Sequence, residues 1–364
     1  MAEPRIPVFR PWIAHAARTY VLDCLDTGWL SSMGAYVRRF EADFAKLCDA
    51  GYGVATSSGT TALHLALAAA GIGPGDEVIV PALTFVATAN AVVYTGARAV
   101  IADVDPATWT LDPADVALRR TPRTRAVIAV HLYGHPADLD ALRAAAGPSV
   151  LLVEDAAEAH GARYKGRPVG AVGDVGCFSF YGNKMITTGE GGMLVTDDAR
   201  VATRASFLRD HAMEASPHYF HSEVGFNYRM TNLQAAVGCG QLEEFSTMLE
   251  RKRQISTRYG ERLAHVRGLG LPPQAPWAEN VYWMYSVLVP ADRARDVVTA
   301  ALAEVGVETR PFFVPLHLLP PYASEEPRPV SEGLARHGIN LPSGPTLSDA
   351  DVDRVCAALV DALQ

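Results

Sequence analysis

The sequence predicts an α/β protein: a large domain on a mostly parallel central sheet, then a small C-terminal α/β domain. Three observations predict it. Short apolar runs alternate with helical stretches from Tyr52 to Asp155, the rhythm of strand-helix-strand units. One run, Val150-Leu-Leu-Val-Glu-Asp155, is an apolar strand that ends in two carboxylates, and ligands collect at such carboxyl ends. From Asp197 onward the rhythm changes. The boundary is expected near Phe245, giving domains 1–245 and 246–364, and 364 residues suffice for one large and one small domain.

Before the sheet, helical patterns cover 14–27 and 35–48. The loop Gly28-Trp29-Leu30-Ser31-Ser32 lies between them, and its tryptophan is expected to pack. Tyr52–Thr56 is a strand. Ser57-Ser58-Gly59-Thr60-Thr61 then opens a helix to about Ala70. Small residues before a helix leave backbone N–H groups unpaired and make an anion cradle, while plain N-capping by Ser57 or Ser58 is compatible with it. Gly71-Ile-Gly-Pro-Gly-Asp76 follows a helix and precedes a strand, so it reads as a turn and not as a nucleotide loop.

Strand 77–80, helix 85–95, strand 99–104, strand 125–131, helix 138–146 and strand 150–155 continue the pattern. Beyond it come a helix over 204–213, a histidine- and aromatic-rich stretch over 216–227, and a long helix over 231–249 that continues to 265. A strand at 282–290, a helix at 292–305, a proline-rich loop at 310–322 and a helix over 348–363 capped by Ser348 complete the chain.

Composition narrows the function. Hydrophobic content is 49% and net charge −8, which argues against non-specific nucleic-acid binding and requires local basic groups for anionic substrates. Five scattered cysteines, with no Cys-x-x-Cys pair, fit a reducing compartment. The first residues, Met-Ala-Glu-Pro-Arg-Ile-Pro, lack a leader's apolar core, and the apolar window 78–102 is broken by polar residues and Pro81. The expected location is therefore cytoplasmic, off the membrane.

The stretch with most chemical content runs from Phe178 to Thr196: an apolar run, Lys184, a glycine-rich turn over Gly189–Gly192, and a second apolar run. This reads as two strands around a tight loop. A confined lysine is easily pushed toward its neutral, nucleophilic form. On this stretch alone, a surface lysine in a hairpin fits as well. Three further features join it: Asp155 at a strand end, the cradle at Ser57–Thr61, and the aromatic Phe85. Pyridoxal 5′-phosphate needs those four things: an imine-forming amine, a carboxylate for the pyridine nitrogen, phosphate donors and a stacking ring. A metal reading on Glu154, Asp155 and His160 is disfavoured, since adjacent carboxylates diverge and no second histidine accompanies them.

Almost the whole chain resembles the DegT/DnrJ/EryC1/StrS family of nucleotide-sugar aminotransferases, of the aspartate-aminotransferase type, PLP-dependent transferase fold type I. The stretches that carry the resemblance are Ser57-Ser-Gly-Thr-Thr-Ala-Leu63, Pro81-Ala-Leu-Thr-Phe-Val-Ala87, Glu154-Asp-Ala-Ala-Glu-Ala-His-Gly161, Asn183-Lys184 with Thr187-Thr-Gly-Glu-Gly-Gly192, and Gly225-Phe-Asn-Tyr-Arg-Met230. Phe180–Lys184, Val281–Tyr285 and Arg310–His317 resemble the branch that aminates GDP-4-keto-6-deoxymannose at C4.

The resemblance implies roles. Lys184 would form the imine and shuttle the proton. Asp155 would pair with the pyridine nitrogen and Phe85 would stack on the ring. Gly59, Thr60, Thr61 and Ser179 would hold the phosphate, beside Asn183. Asn227 would reach that phosphate from the neighbouring subunit, making a homodimer with shared sites. Glu158 stands where Gln is common, near the ring hydroxyl. His211-Ala212-Met213 replaces the usual His-Gly-Met in a loop expected to touch sugar. Arg229, Arg310 and His317 are further substrate candidates, for which a salt bridge or packed loop serves equally well. L-Glutamate and a nucleotide-linked keto sugar are the expected substrates, with the cofactor cycling between PLP and PMP. Alternatives are another keto sugar, including a GDP-linked 3-keto or dTDP-linked one, or a keto-cyclitol. A PLP-dependent sugar dehydratase or a non-catalytic regulator ranks lower, because Lys184 and Asp155 are both retained.

Overall fold

The computed structural model describes residues 4–364. Residues 1–3, part of the segment read above as lacking a leader core, lie outside the described residues. Helices α1 (His15–Thr27) and α2 (Ala35–Leu47) come first. The chain continues through β1 (Tyr52–Thr56), α3 (Gly59–Ala69), β2 (Glu77–Pro81), α4 (Ala87–Tyr94), β3 (Arg98–Ala102), α5 (Pro113–Arg119), β4 (Thr124–Val130), α6 (Leu139–Ala146) and β5 (Leu151–Asp155). A ribbon, β6 (Arg163–Tyr164) and β7 (Arg167–Pro168), leads to β8 (Val175–Ser179) and β9 (Gly192–Thr196).

Among the described residues, seven strands form one sheet in the order β1-β9-β8-β5-β4-β2-β3. β9 alone runs antiparallel to its neighbours, and the remaining pairings are parallel. The expected mostly parallel sheet is present. It is apolar on both faces because helices cover both. Leu152 joins Val127, Ala129 and Phe178 in the core on one face, and Val153 joins Ile128, Cys177, Leu65 and Val92 in the core on the other. By the same period of two, Glu154 turns to the first face and Asp155 to the second, toward α3 and α4.

The chain then forms α7 (Ala199–Arg209), α8 (Asn232–Glu243) and α9 (Phe245–Leu263). After β10 (Ala278–Glu279), which pairs with β6, come β11 (Tyr285–Leu288), α10 (Arg295–Glu304), β12 (Arg310–Pro311), α11 (Pro329–His337), β13 (Gly338–Leu341) and α12 (Asp349–Ala362). β11, β13 and β12 form a small antiparallel sheet in that order. Ile255, Tyr259, Val287, Leu302, Ile339 and Val355 build its core, and Ile6 from the start of the chain packs into it. Ser348 caps α12 as expected, its side chain accepting from the N–H of Asp351.

Four expectations need correction. The long helix expected from Thr231 is two helices broken at Glu244, whose carboxylate is drawn to the Trp12 indole N–H at 2.7 Å and the His15 N–H at 2.8 Å. The helix expected over 204–213 lies at Ala199–Arg209. Asp198 caps its start, and His211 and Ala212 stop it with φ of 61° and 50°. Helices α5 and α11 were not anticipated, although both carry proline in the first turn. Trp29 is 57% exposed instead of packed, because its loop is held by backbone: Asn232 donates to the Trp29 carbonyl at 2.7 Å and to Leu30 and Ser31 through its own N–H.

Candidate active site

The carboxyl ends of β2, β5 and β8 converge at one edge of the sheet, where a parallel sheet places its ligands. Asp155 closes β5 and is 6% exposed. One carboxylate oxygen accepts from the Thr88 hydroxyl of α4 at 2.7 Å, the other from the Ala157 N–H at 3.3 Å. Burial pushes its carboxyl above the ordinary range, opposed by those two bonds and by the charge of Lys184. Both hydrogen bonds are neutral, so this buried carboxylate has no ion-pair partner among the described residues.

Glu154, one residue earlier, faces the other side. It accepts from the N–H groups of Gly170, Val172 and Gly173 and from the ring of His131 at 2.6–2.9 Å. Glu154 and Asp155 therefore do not share a ligand, and no group of three side chains able to hold a metal occurs among the described residues.

α3 starts beside the end of β8. Ser58 and Thr61 close a capping box, side chain to backbone at 3.2 and 2.9 Å. The first-turn N–H groups of Gly59 and Thr60 then have no intrahelical carbonyl, at the positive end of the helix. Gly59 is required by close approach: a Cβ there would lie 2.7 Å from the Cβ of Ser179. Helix start and Ser179 hydroxyl thus flank one small space.

Lys184 lies in the loop between β8 and β9, its side chain only 11% exposed. The amine stands 3.7 Å from the centroid of the Trp283 ring and 3.8 Å from Glu158 Oε1. Burial pulls the amine below its ordinary range; the Glu158 and Asp155 carboxylates oppose this, and the charge of Arg310 adds to it. Burial likewise pushes the Glu158 carboxyl up to about 7, against Lys184 and the Tyr133 N–H, which donates to Glu158 at 2.7 Å. Burial drives amine and carboxyl together toward their neutral forms. His160, stacked between Phe178 and Phe180, is held neutral by burial and carries a ring nitrogen with no hydrogen-bond partner.

The other expected site residues are spread more widely. Phe85 follows β2, 55% exposed, its ring 5.8 Å from that of Phe313. The Asn183 amide oxygen is buried without a partner, while its carbonyl accepts from the Trp283 indole at 2.7 Å. Asn227 is exposed and bridges to Asp210, Arg229 lies 2.9 Å from the Asp210 carboxylate, and the His211 N–H donates to Phe226. These three belong to one loop system. Arg310 is exposed on β12, near enough for its charge to act on Lys184. His317 is buried and shares a 3.0 Å hydrogen bond with Glu332.

Sequence reasoning missed Thr88, Tyr133 and Trp283. Thr88 lies three residues after Phe85, which is a usable signal. Tyr133 and Trp283 come from distant parts of the chain; Trp283 lies in the Val281–Tyr285 stretch that carries the resemblance, but nothing local gives it a role beside Lys184.

Known proteins resemble this chain along its whole length. A family model described as the DegT/DnrJ/EryC1/StrS aminotransferase family matches residues 11–360. A protein of Caulobacter vibrioides named GDP-perosamine synthase is 45% identical, with 99% of each chain covered. The structure of DesV from S. venezuelae, in complex with a ketimine intermediate, superposes with a TM-score of 0.93 at 38% identity, over 100% of this chain and 99% of that one. The PLP form of the putative sugar aminotransferase Spr1654 from Streptococcus pneumoniae superposes at 0.92 and 27% identity, over 100% and 99%. The chain belongs to the DegT/DnrJ/EryC1/StrS aminotransferase family.

Proposed function

We propose that the protein uses pyridoxal phosphate to transfer the amino group of L-glutamate to the C4 ketone of GDP-4-keto-6-deoxy-D-mannose, giving GDP-perosamine. The observation that carries the reading is the buried Lys184 amine, 3.8 Å from Glu158 and, among the described residues, without a hydrogen bond that would occupy it. The sugar assignment draws on the 45% identity to the Caulobacter protein.

The residues present fit the cofactor. Asp155 is a buried carboxylate in want of a cation, which a protonated pyridine nitrogen supplies. Gly59, Thr60, Thr61 and Ser179 would hold the phosphate, and Phe85 would cover the ring. Glu158 and Asn183 would meet the remaining polar groups. The chemistry that pyridoxal phosphate supplies when bound is an electron sink for the charge left when a proton departs the amine-bearing carbon.

The chain does the rest. Lys184 would hold the cofactor at rest; once the amine of glutamate releases it, Nζ would take the proton from the amine-bearing carbon and, with the keto sugar bound, would deliver a proton to the sugar carbon, as general base and then general acid. Burial shifts the amine toward the neutral form that the first step needs. Glu158, poised near neutrality, buffers that charge. Arg310, His211, Arg229 and His317 are the candidates for carboxylate, diphosphate and sugar contact.

The same reading divides the chain into domains 1–245 and 246–364, at the break between α8 and α9. It also makes the active unit a homodimer, with Asn227 reaching the phosphate of the other subunit. Leu22, Leu25, Trp29, Leu30 and Met33 are exposed along α1 and its following loop and supply an apolar surface for a second copy.

The test is spectroscopic. The loaded protein is expected to lose its visible absorption with glutamate and regain it with GDP-4-keto-6-deoxymannose. Loss without recovery leaves an aminotransferase acting on another ketone. A Lys184→Ala protein that still turned over both substrates would sink the mechanism.

A further inference from the structure

We propose that Trp283 is the positioning residue for Lys184, locked in place from the C-terminal half of the chain. One indole touches both the lysine side chain and the peptide that precedes it. Its face lies 3.7 Å from Nζ, within cation–π range, and its N–H donates at 2.7 Å to the carbonyl of Asn183, the preceding residue. Side chain and main chain of Lys184 are thus referred to the same rigid ring.

The ring is itself fixed. Trp283 is buried, and its carbonyl accepts from the Lys252 amine at 3.2 Å and the Ser343 hydroxyl at 3.3 Å. Its main chain meets the turn at Gly134, where φ is +103° and a Cβ would lie 2.8 Å from the Trp283 backbone nitrogen. Next to that turn, the Tyr133 ring stacks on the indole at 6.5 Å and 23°, and the Tyr133 N–H holds Glu158. The same cluster therefore sets both ends of the Lys184–Glu158 separation.

The physical consequence is specific. A lysine stem is flexible, and an unrestrained ammonium beside a buried carboxylate would close to hydrogen-bond distance. The indole face draws Nζ aside and holds it at 3.8 Å, leaving the amine free to react.

The test has one readout that needs no cofactor. Competitive acetylation of Lys184, read by peptide mass spectrometry across pH, is measured on the full-length PLP-free chain. Trp283→Leu removes the π face and lets Nζ close on Glu158, and the closer ion pair is expected to raise the Lys184 midpoint by about one pH unit. Trp283→Phe keeps a ring but loses the N–H, and is expected to raise it by roughly half as much. If Trp283→Leu does not fold, Trp283→Phe carries the test. An unchanged or lowered midpoint overturns the proposal. In the loaded enzyme, Trp283→Leu should slow the glutamate-driven loss of visible absorption by roughly 10- to 100-fold at saturating donor, with half-saturation little changed, as for misplacement of a catalytic group. That second readout rests on the proposed function. A parent enzyme inert to glutamate, with the acetylation shift intact, would refute the function and leave the positioning role standing.

Discussion

Lys252 offers a quantitative check on the packing behind the site. It lies in α9, 1% exposed, and its amine faces the carbonyls of Trp283 and Ser343, with no carboxylate partner among the described residues. Burial pushes the ammonium from 10.5 down to about 7. The folded chain thus releases this proton near pH 7, whereas the unfolded chain keeps it to pH 10.5. Between those values the unfolded state binds more protons, so folding stability from this group rises with pH. The slope is about 1.4 kcal/mol per pH unit, and the penalty present below pH 7 is on the order of 5 kcal/mol. Lys252→Met keeps the stem and removes the charge. Urea melts of parent and variant at fixed protein concentration, from pH 7 to pH 9.5, should show the parent gaining roughly 3 kcal/mol relative to the variant. A difference that stays flat with pH would refute the reasoning: the two carbonyls would then be holding a full ammonium in the fold.

Three other outcomes are expected. Gly59→Ala places a methyl 2.7 Å from the Ser179 Cβ; the displaced helix start should weaken pyridoxal phosphate retention by about 10-fold or more in equilibrium dialysis, since each 1.4 kcal/mol of lost contact is tenfold. Ala212→Gly relieves a buried alanine held at φ 50° and should stabilise the protein by about 0.5–1 kcal/mol, the left-handed cost less glycine's greater unfolded freedom, seen as a higher thermal midpoint. Glu158→Gln removes the carboxyl that burial lifts to about 7; the pH profile of the glutamate half-reaction should lose its inflection near neutrality, and an unchanged profile would exclude Glu158 as the titrating group.

The sheet and the chemistry along its edge were legible because they are local. Strands β1 to β5 and β8 are apolar runs bounded by turns, and a period of two assigns Asp155 to one face and Glu154 to the other. Lys184, Gly59 and Phe85 stand next to such strand ends or helix starts, so a linear pattern finds them. Ser348 capping α12 is legible in the same way.

The sequence by itself determined the fold class and, through its resemblance to known motifs, the family, because strand-helix alternation and short motifs are encoded over a few residues; the site residues it put forward are part of the proposed function. Tertiary structure decided the rest. It broke the long helix at Glu244 through contacts to Trp12 and His15 more than 220 residues away. It turned Trp29 outward by tying its carbonyl to Asn232, and it set Trp283 over Lys184 with Tyr133 behind it. The reason is physical: a helix end, a side chain's exposure and the reactivity of a buried amine depend on which groups arrive from elsewhere in the chain, and only the packed fold brings them there.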